Sequence, residues 1–164
     1  MINYRQYVAH GVKFIVEGTD GRHSWQDWRL VPTERPTITT PEPQLNYVHV
    51  PGSNLDIDLS EVISGRVTYG AREGSIEFAV MNRANWRDVN EEITNYLAGK
   101  PCRVVLDDDP EYYYEGRCWV DGYVPGGNYS NIVINYRFGP FKMPITEALE
   151  NWEYEPLTEY EGIL

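Results

Sequence analysis

The side chains best suited to chemistry in this 164-residue chain are carboxylates grouped in two short runs. The first run is Asn54-x-Asp56-x-Asp58, which has the alternate spacing that brings oxygen ligands onto one Ca²⁺ ion in a calcium loop. A calcium loop needs a turn glycine where this chain has Leu59, and a bidentate glutamate where it has Gly65. Leu55, Ile57 and Leu59 alternate with these polar residues and form one apolar face, so a solvated strand face fits the run better than a metal site.

The second run is acidic and is followed at once by tyrosines: residues 107–111 contain four carboxylates, and residues 112–114 are Tyr-Tyr-Tyr. The carboxylates could bind a divalent ion or pair with basic residues of a neighbouring subunit, and the partner contact is the better supported of the two. Tyrosine and tryptophan are frequent at interfaces because each combines a large apolar ring with a polar atom. We predict an oligomer or partner interface formed by Asp107, Asp108, Asp109, Glu111, Tyr112, Tyr113, Tyr114 and Trp152.

No constellation of catalytic residues is apparent. The three histidines lie in unrelated segments at His10, His23 and His49, and no nucleophile elbow, zinc-protease motif or phosphate-binding loop is present. The two cysteines, Cys102 and Cys118, lack the spacing of a zinc site. We expect no catalytic, metal-binding or cofactor-binding residues, and we predict that the protein is not an enzyme.

The net charge of the chain limits which partners it can bind. Twenty-five acidic residues against fourteen basic ones give a formal charge of −11, which argues against a surface that grips nucleic-acid phosphates. A negative wall past which DNA slides without adhering is compatible with this charge. The N-terminus lacks the features of a signal peptide, and no apolar run is long enough to span a membrane, so synthesis in a cytoplasm is expected.

The apolar pattern predicts many short strands and one helix. Strands are expected over 12–17, 45–50 and 54–59, with a further pair formed by 66–69 and 75–81. Proline at four positions makes 32–43 an extended arm or edge segment. A helix over about 85–98, capped by Asn85, carries one apolar stripe: Trp86, Val89, Ile93, Tyr96 and Leu97.

A β-hairpin follows the helix. Its strands are 102–106 and 112–123, joined by a turn over 107–111, and a turn centred on Pro110 would place Cys102 opposite Cys118, as two reduced thiols rather than a disulfide. Ile132, Ile134 and Tyr136 alternate along a last strand. Without strand–helix alternation, the pattern indicates a mainly β fold: a β-sandwich or partly open barrel with one helix.

The order of these residues resembles the N-terminal domain of the distal tail proteins of long-tailed, siphovirus-type bacteriophages. The resemblance runs well over 45–141 and loosely over 12–44, and its most specific block is Asp109-Pro110-Glu111-Tyr112-Tyr113-Tyr114-Glu115-Gly116-Arg117 after a helix and Gly-Lys. It implies a projecting β-hairpin, a ring-forming domain over 1–142 with its proline-rich arm, and an acidic C-terminal tail over 143–164. Larger relatives append a second, galectin-like domain, and the resemblance leads us to expect that this chain works as a ring-forming adaptor without one.

The resemblance also implies a function. Such a protein is a structural virion component of the tail tip or baseplate, a homo-hexameric ring made in the host bacterial cytoplasm. The ring joins the tail tube protein to the tail-associated hub protein and the adsorption apparatus, and DNA passes through its lumen without specific binding. A tail tube or tail-completion protein is a near alternative, and a membrane partner is not expected.

One alternative comes from a different class. A carbohydrate-binding or cell-surface adhesion module would use exposed tryptophans such as Trp25, Trp28 or Trp119 to stack on sugar rings. This alternative predicts a monomer whose tryptophan fluorescence changes on titration with a glycan. A hydrolase is disfavoured because no pairing of nucleophile and base is apparent.

Overall fold

The computed structural model describes residues 4–82, 84–124 and 130–145. After a 3₁₀ turn at Tyr4–Tyr7, the helix α1 spans Trp86–Leu97. The strands are β1 (Val12–Val16), β2 (Arg22–His23), β3 (Leu30–Pro32), β4 (Tyr47–His49), β5 (Asp56–Asp58), β6 (Arg72–Val80), β7 (Pro101–Leu106), β8 (Asp109–Val124), β9 (Ser130–Phe138) and β10 (Met143–Pro144).

Eight of these strands form one antiparallel sheet in the order β2-β1-β7-β8-β9-β6-β3, with β10 paired to β8. The sheet is strongly curled into a half-barrel. The mainly β class with one helix is thus confirmed, and the sheet corresponds to the partly open barrel of the two predicted arrangements. β4 and β5 pair only with each other, as a separate two-stranded hairpin.

The core lies on the inner face of the curled sheet. Along β9 the side chains of Ile132, Ile134, Tyr136 and Phe138 are buried, as the predicted period-two alternation requires. Phe14 and Trp28 pack against each other within the same cluster, with ring centroids 6.0 Å apart. Burial of such large side chains supplies most of the favourable free energy of folding.

The helix covers this core with its apolar stripe. Val89, Ile93 and Leu97 are buried, while Trp86 and Tyr96 pack at its margin, as predicted. Asn85 occupies the N-cap position, but its side chain makes no capping hydrogen bond, so its predicted capping role is wrong. The helix ends where Ala98 adopts a left-handed conformation and donates its N–H to the carbonyl of Thr94.

Residues 66–69 do not form the predicted strand paired with 75–81. Both edges of β6 are occupied by other partners, β9 along its whole length and β3 at its C-terminal end. The 66–69 segment instead meets the end of the proline-rich arm: Tyr69 forms a single bridge with Pro43, and the N–H of Gln44 donates to the carbonyl of Thr68. Its local pattern was strand-like, but its partner was misassigned.

The β7–β8 hairpin turns earlier than predicted. β7 ends at Leu106 and β8 begins at Asp109, so only two residues form the turn, and Cys102 pairs with Gly116 rather than with Cys118. Both thiols are buried and free. A hydrogen bond with Cys102, followed by burial, raises the pKa of the Cys118 thiol, so the thiolate is strongly disfavoured.

Candidate protein interaction surfaces

The acidic hairpin tip is held by side chains from distant parts of the same chain. Asp107 faces His23, with Oδ2 and Nε2 separated by 2.9 Å, and its backbone N–H donates to the carbonyl of Gly11 over 3.0 Å. The Nδ1 atom of His23 accepts hydrogen bonds from the backbone N–H groups of Trp25 and Gln26. With Nδ1 occupied as an acceptor, Nε2 carries the hydrogen that is donated to Asp107.

Asp108 is the most highly connected carboxylate of the tip. Its Oδ1 lies 2.6 Å from Nδ1 of His10, and its Oδ2 accepts a 2.9 Å hydrogen bond from Nε of Arg35. Burial alone would raise the pKa of Asp108, but the hydrogen bonds and charges of His10 and Arg35 outweigh burial and lower it. Each carboxylate oxygen therefore ties a different segment to the hairpin.

Asp109 continues this pattern on the other side of the tip. Its Oδ2 lies 2.5 Å from Nζ of Lys142, and this hydrogen bond raises the pKa of the lysine. Glu111 is exposed, and its backbone carbonyl accepts the N–H of Ile145, just beyond β10. Each tip aspartate thus faces a hydrogen-bond donor of its own chain, and the cations Arg35 and Lys142 reduce the net negative field that the tip presents.

The tyrosine run is shared between the two faces of the hairpin. The ring of Tyr112 lies beneath Nζ of Lys142 at 4.3 Å, and that of Tyr113 beneath the guanidinium of Arg103 at 4.8 Å. Tyr114 is buried and stacks on Phe138 with centroids 5.6 Å apart. The structure thus brings seven of the eight predicted interface residues into one hairpin, and the eighth, Trp152, lies outside the described residues.

The other acidic run does not gather around a cation site. Asp56 pairs with Nδ1 of His49 at 2.9 Å, across the two strands of the β4–β5 hairpin. Oδ1 of Asp58 accepts the backbone N–H of Ser60, and hydrogen bonds with this serine lower the pKa of Asp58. Within residues 4–82, 84–124 and 130–145, no three histidine, cysteine, aspartate or glutamate residues are grouped so that they could hold a metal ion.

A large apolar surface that the sequence analysis did not single out lies around the β4–β5 hairpin. Of the twelve large apolar side chains that are exposed in the described part of the chain, ten fall within residues 45–69. Leu55 is 78% exposed and Ile63 98% exposed. We call this set the apolar hairpin surface: Leu45, Tyr47, Val48, Val50, Leu55, Ile57, Val62, Ile63, Val67 and Tyr69.

The apolar hairpin surface is attached to the main sheet at its base. Tyr69 meets Phe141, which follows β9, in an edge-on contact with ring centroids 5.7 Å apart. The N–H of Gly70 donates to the carbonyl of Glu42, and the N–H of Leu59 to that of Asn46. The hairpin therefore has a defined conformation although its apolar side chains lack a covering layer among the described residues.

No protein-family model and no curated protein matches the chain. Among solved structures it is similar to the Dit (gp 19.1) protein of phage SPP1, with a TM-score of 0.55 and 15% sequence identity over 82% of this chain. The chain shares the Dit fold.

The SPP1 Dit protein is described as a paradigm of the hub adsorption apparatus in phages that infect Gram-positive bacteria. Its likeness confirms the resemblance predicted from the sequence, at the level of the fold. This chain spans about half of the length of that protein, since the match covers 52% of it. No helix in the described parts of the chain is long and apolar enough to cross a membrane.

Proposed function

We propose that this protein is a structural component of a phage tail tip: a distal tail ring adaptor that joins the tail tube to the hub and adsorption apparatus as a homo-hexamer. The shared Dit fold supports the tail-tip role. The exposure of the apolar hairpin surface is the main support for assembly into a ring. In this proposal the protein acts by assembly in the virion tail and catalyses no reaction.

The composition of the apolar hairpin surface favours a protein contact. Exposed apolar side chains that lie singly on a surface are common in soluble monomers, whereas a concentration of them marks an interaction site. Both strands of the hairpin also keep one unpaired edge, because β4 and β5 pair only with each other. A subunit that contributes such a hairpin to its neighbour covers both the apolar side chains and the open strand edge.

A closed ring needs a second, different surface that receives the hairpin, because its contacts run head to tail. The exposed hairpin-tip residues, including Glu111, are our candidates for contact with a neighbour or with the tail tube and hub proteins. Because Asp107 is hydrogen-bonded to His23, and Asp108 and Asp109 face cations of their own chain, we assign the repulsion that keeps DNA from adhering in the lumen to the excess of acid over the whole subunit.

The test uses charge substitutions on the apolar hairpin surface. Ile57→Asp and Ile63→Asp each place a charge in the proposed contact and should reduce the hexamer fraction measured by analytical ultracentrifugation. Gln26→Asp is the matched control, since Gln26 is exposed, lies outside this surface and adds the same charge. Equal hexamer fractions in all three variants and the parent would contradict the role of the hairpin.

One observation favours the carbohydrate-binding alternative. Trp119 is 38% exposed on β8, opposite Asn135 of β9, where an indole beside an amide suits a sugar ring. Trp28, by contrast, is buried in the core and cannot stack on a ligand. Glycan titration monitored by tryptophan fluorescence, with Trp119→Ala as the comparison, tests this alternative; a signal that persists in the variant would exclude this site.

A further inference from the structure

The sheet has a strand edge that another strand only partly covers. β6 pairs with β9 from Arg72 to Val80, but β3 covers the opposite edge only from Phe78 to Val80. Along the remainder of that edge lies the rest of the proline-rich arm, residues 33–43, since Pro32 belongs to β3. The arm contacts the edge through Thr33, whose N–H donates to the carbonyl of Glu77 over 3.0 Å, and through Thr39, whose Oγ1 donates to the carbonyl of Glu73 over 2.9 Å.

The arm covers this edge without extending the sheet. Pro36, Pro41 and Pro43 have no N–H to donate, so the arm cannot form a regular ladder with β6. An uncovered edge with free N–H and carbonyl groups pairs readily with other chains, and prolines are a common protection against such pairing. The arm therefore blocks other strands from pairing with the β6 edge.

One end of the arm is fastened around Thr39. Its N–H donates to the hydroxyl of Tyr136 over 3.0 Å, and its carbonyl accepts a hydrogen bond from NH1 of Arg72 over 3.1 Å. Tyr136 reaches this position across Gly74, where a Cβ would lie 2.5 Å from the tyrosine oxygen. These contacts join the arm to the main sheet, and the neighbouring Ile38 is partly buried against the core.

Nearer its start, where Thr33 is already bonded to Glu77, the arm has one further contact with a distant carboxylate. Arg35 extends from the arm to Asp108 at the hairpin tip, a contact between residues 73 positions apart. His10 holds the second oxygen of Asp108, and the backbone N–H of Asp107 is bonded to Gly11. These contacts position the carboxylate independently of Arg35.

We propose that Asp108 is a latch that holds the proline-rich arm over the β6 edge, and that breaking this latch loosens the arm and opens the edge to strand pairing. The core is formed by other elements, including β9 and α1, and from the arm only Ile38 is partly buried against it. An opened edge accepts any extended segment. In the purified protein the segment available is that of another copy, so self-association reports the open state.

Hydrogen exchange tests the latch directly. Asp108→Asn and Arg35→Gln should each accelerate exchange of the Thr39 amide by roughly 1.5- to fivefold, the range expected for loss of one partly exposed ion pair. Asp109→Asn is the matched control, because Asp109 is the adjacent aspartate and pairs with Lys142 instead of the arm. The amide of Ile134, in the interior of β9, should exchange at the same rate in every variant.

The double variant Asp108→Asn/Arg35→Gln separates a latch from two unrelated contacts. If the two residues act on the arm together, the double variant exchanges no faster than the more affected single variant. The latch would be overturned if the acceleration in the double variant equalled the product of those in the two single variants, or if Asp109→Asn accelerated exchange equally. Light scattering should show weak self-association in the latch variants that persists in an Ile57→Asp background, which distinguishes pairing at the β6 edge from ring formation through the apolar hairpin surface.

Discussion

Gly116 occupies the tightest position in the sheet. It lies on β8 between Cys102 of β7 and Phe138 of β9, in register with both. A Cβ at this position would lie 2.0 Å from the carbonyl oxygen of Arg137 and 2.8 Å from Cα of Phe138. These are backbone atoms of a central strand, so they cannot rotate aside as a flexible side chain would.

The cost of Gly116→Ala follows from this geometry. A carbon–oxygen contact of ordinary length is about 3.3 Å, so the two strands must separate locally by about 1.3 Å. Overpacking of this kind costs about 1–3 kcal/mol, and two or three ladder hydrogen bonds that lengthen add about 0.5–1.5 kcal/mol each. We expect a total of about 2–7.5 kcal/mol, which in a domain of this size lowers Tm by about 4–30 °C.

Thermal unfolding followed by circular dichroism measures this effect, with Gly139→Ala as its matched control. Gly139 is the next glycine on the facing segment, and the nearest atom to its Cβ position is the Glu115 carbonyl oxygen at 4.0 Å. The control should lose little stability because nothing has to move. A Gly116→Ala protein that melts within about 2 °C of the control would refute the close strand approach.

Three further predictions concern the core, the two thiols and the loss of folding stability at acidic pH. Ile132→Ala removes a fully buried side chain and should lower the free energy of unfolding by about 2–5 kcal/mol in urea titrations, whereas Ile63→Ala, at a 98% exposed side chain, should change that of the isolated subunit by less than about 0.5 kcal/mol. Cys102 and Cys118 should not react with a thiol reagent until the chain unfolds, since both are buried and the pKa of Cys118 is raised; rapid labelling of the native protein would contradict their burial. The pKa of Asp108 is lowered in the folded chain, so its ionised form adds stability above the unfolded value of about 3.9, and this contribution disappears as the pH falls through the lower folded value. Asp108→Asn should therefore lose less stability than the parent between about pH 5 and 2, and parallel curves would count against the paired carboxylate.

The local pattern of the sequence predicted the elements that build the core. Alternation in β9 and the stripe on α1 depend only on neighbouring residues, so the buried faces of Ile132 and Ile93 follow directly from it. The same reasoning failed at 66–69, where a strand-like segment pairs with the end of the arm rather than with the next strand. Strand partners are set by the whole sheet, which a local pattern does not contain.

The two candidate surfaces show a second limit of local pattern. Alternation identified Leu55 and Ile57 as members of one apolar face, yet it does not tell whether a core or a partner covers that face, and the structure leaves both exposed. At the hairpin tip the sequence showed the acids but not their cations, because His10 and Arg35 lie 98 and 73 residues from Asp108 along the chain.

Gly116 shows what the structure adds to the resemblance with distal tail proteins. In the sequence this glycine is only one residue of a characteristic block after the tyrosine run. In the structure it is the residue that lets the β9 backbone approach β8, because any side chain would meet the carbonyl of Arg137. The requirement for glycine at this position is therefore a packing requirement of the sheet.

The central claim, a ring-forming tail-tip protein, is tested most directly by the solution mass of the unmodified chain over a range of concentrations, measured by light scattering on a size-exclusion column. The proposal predicts a mass of about six times 19.0 kDa, or a rise toward that value with concentration, as the apolar hairpin surface becomes covered. A constant mass of 19.0 kDa up to the highest attainable concentration would contradict a ring formed by this chain alone.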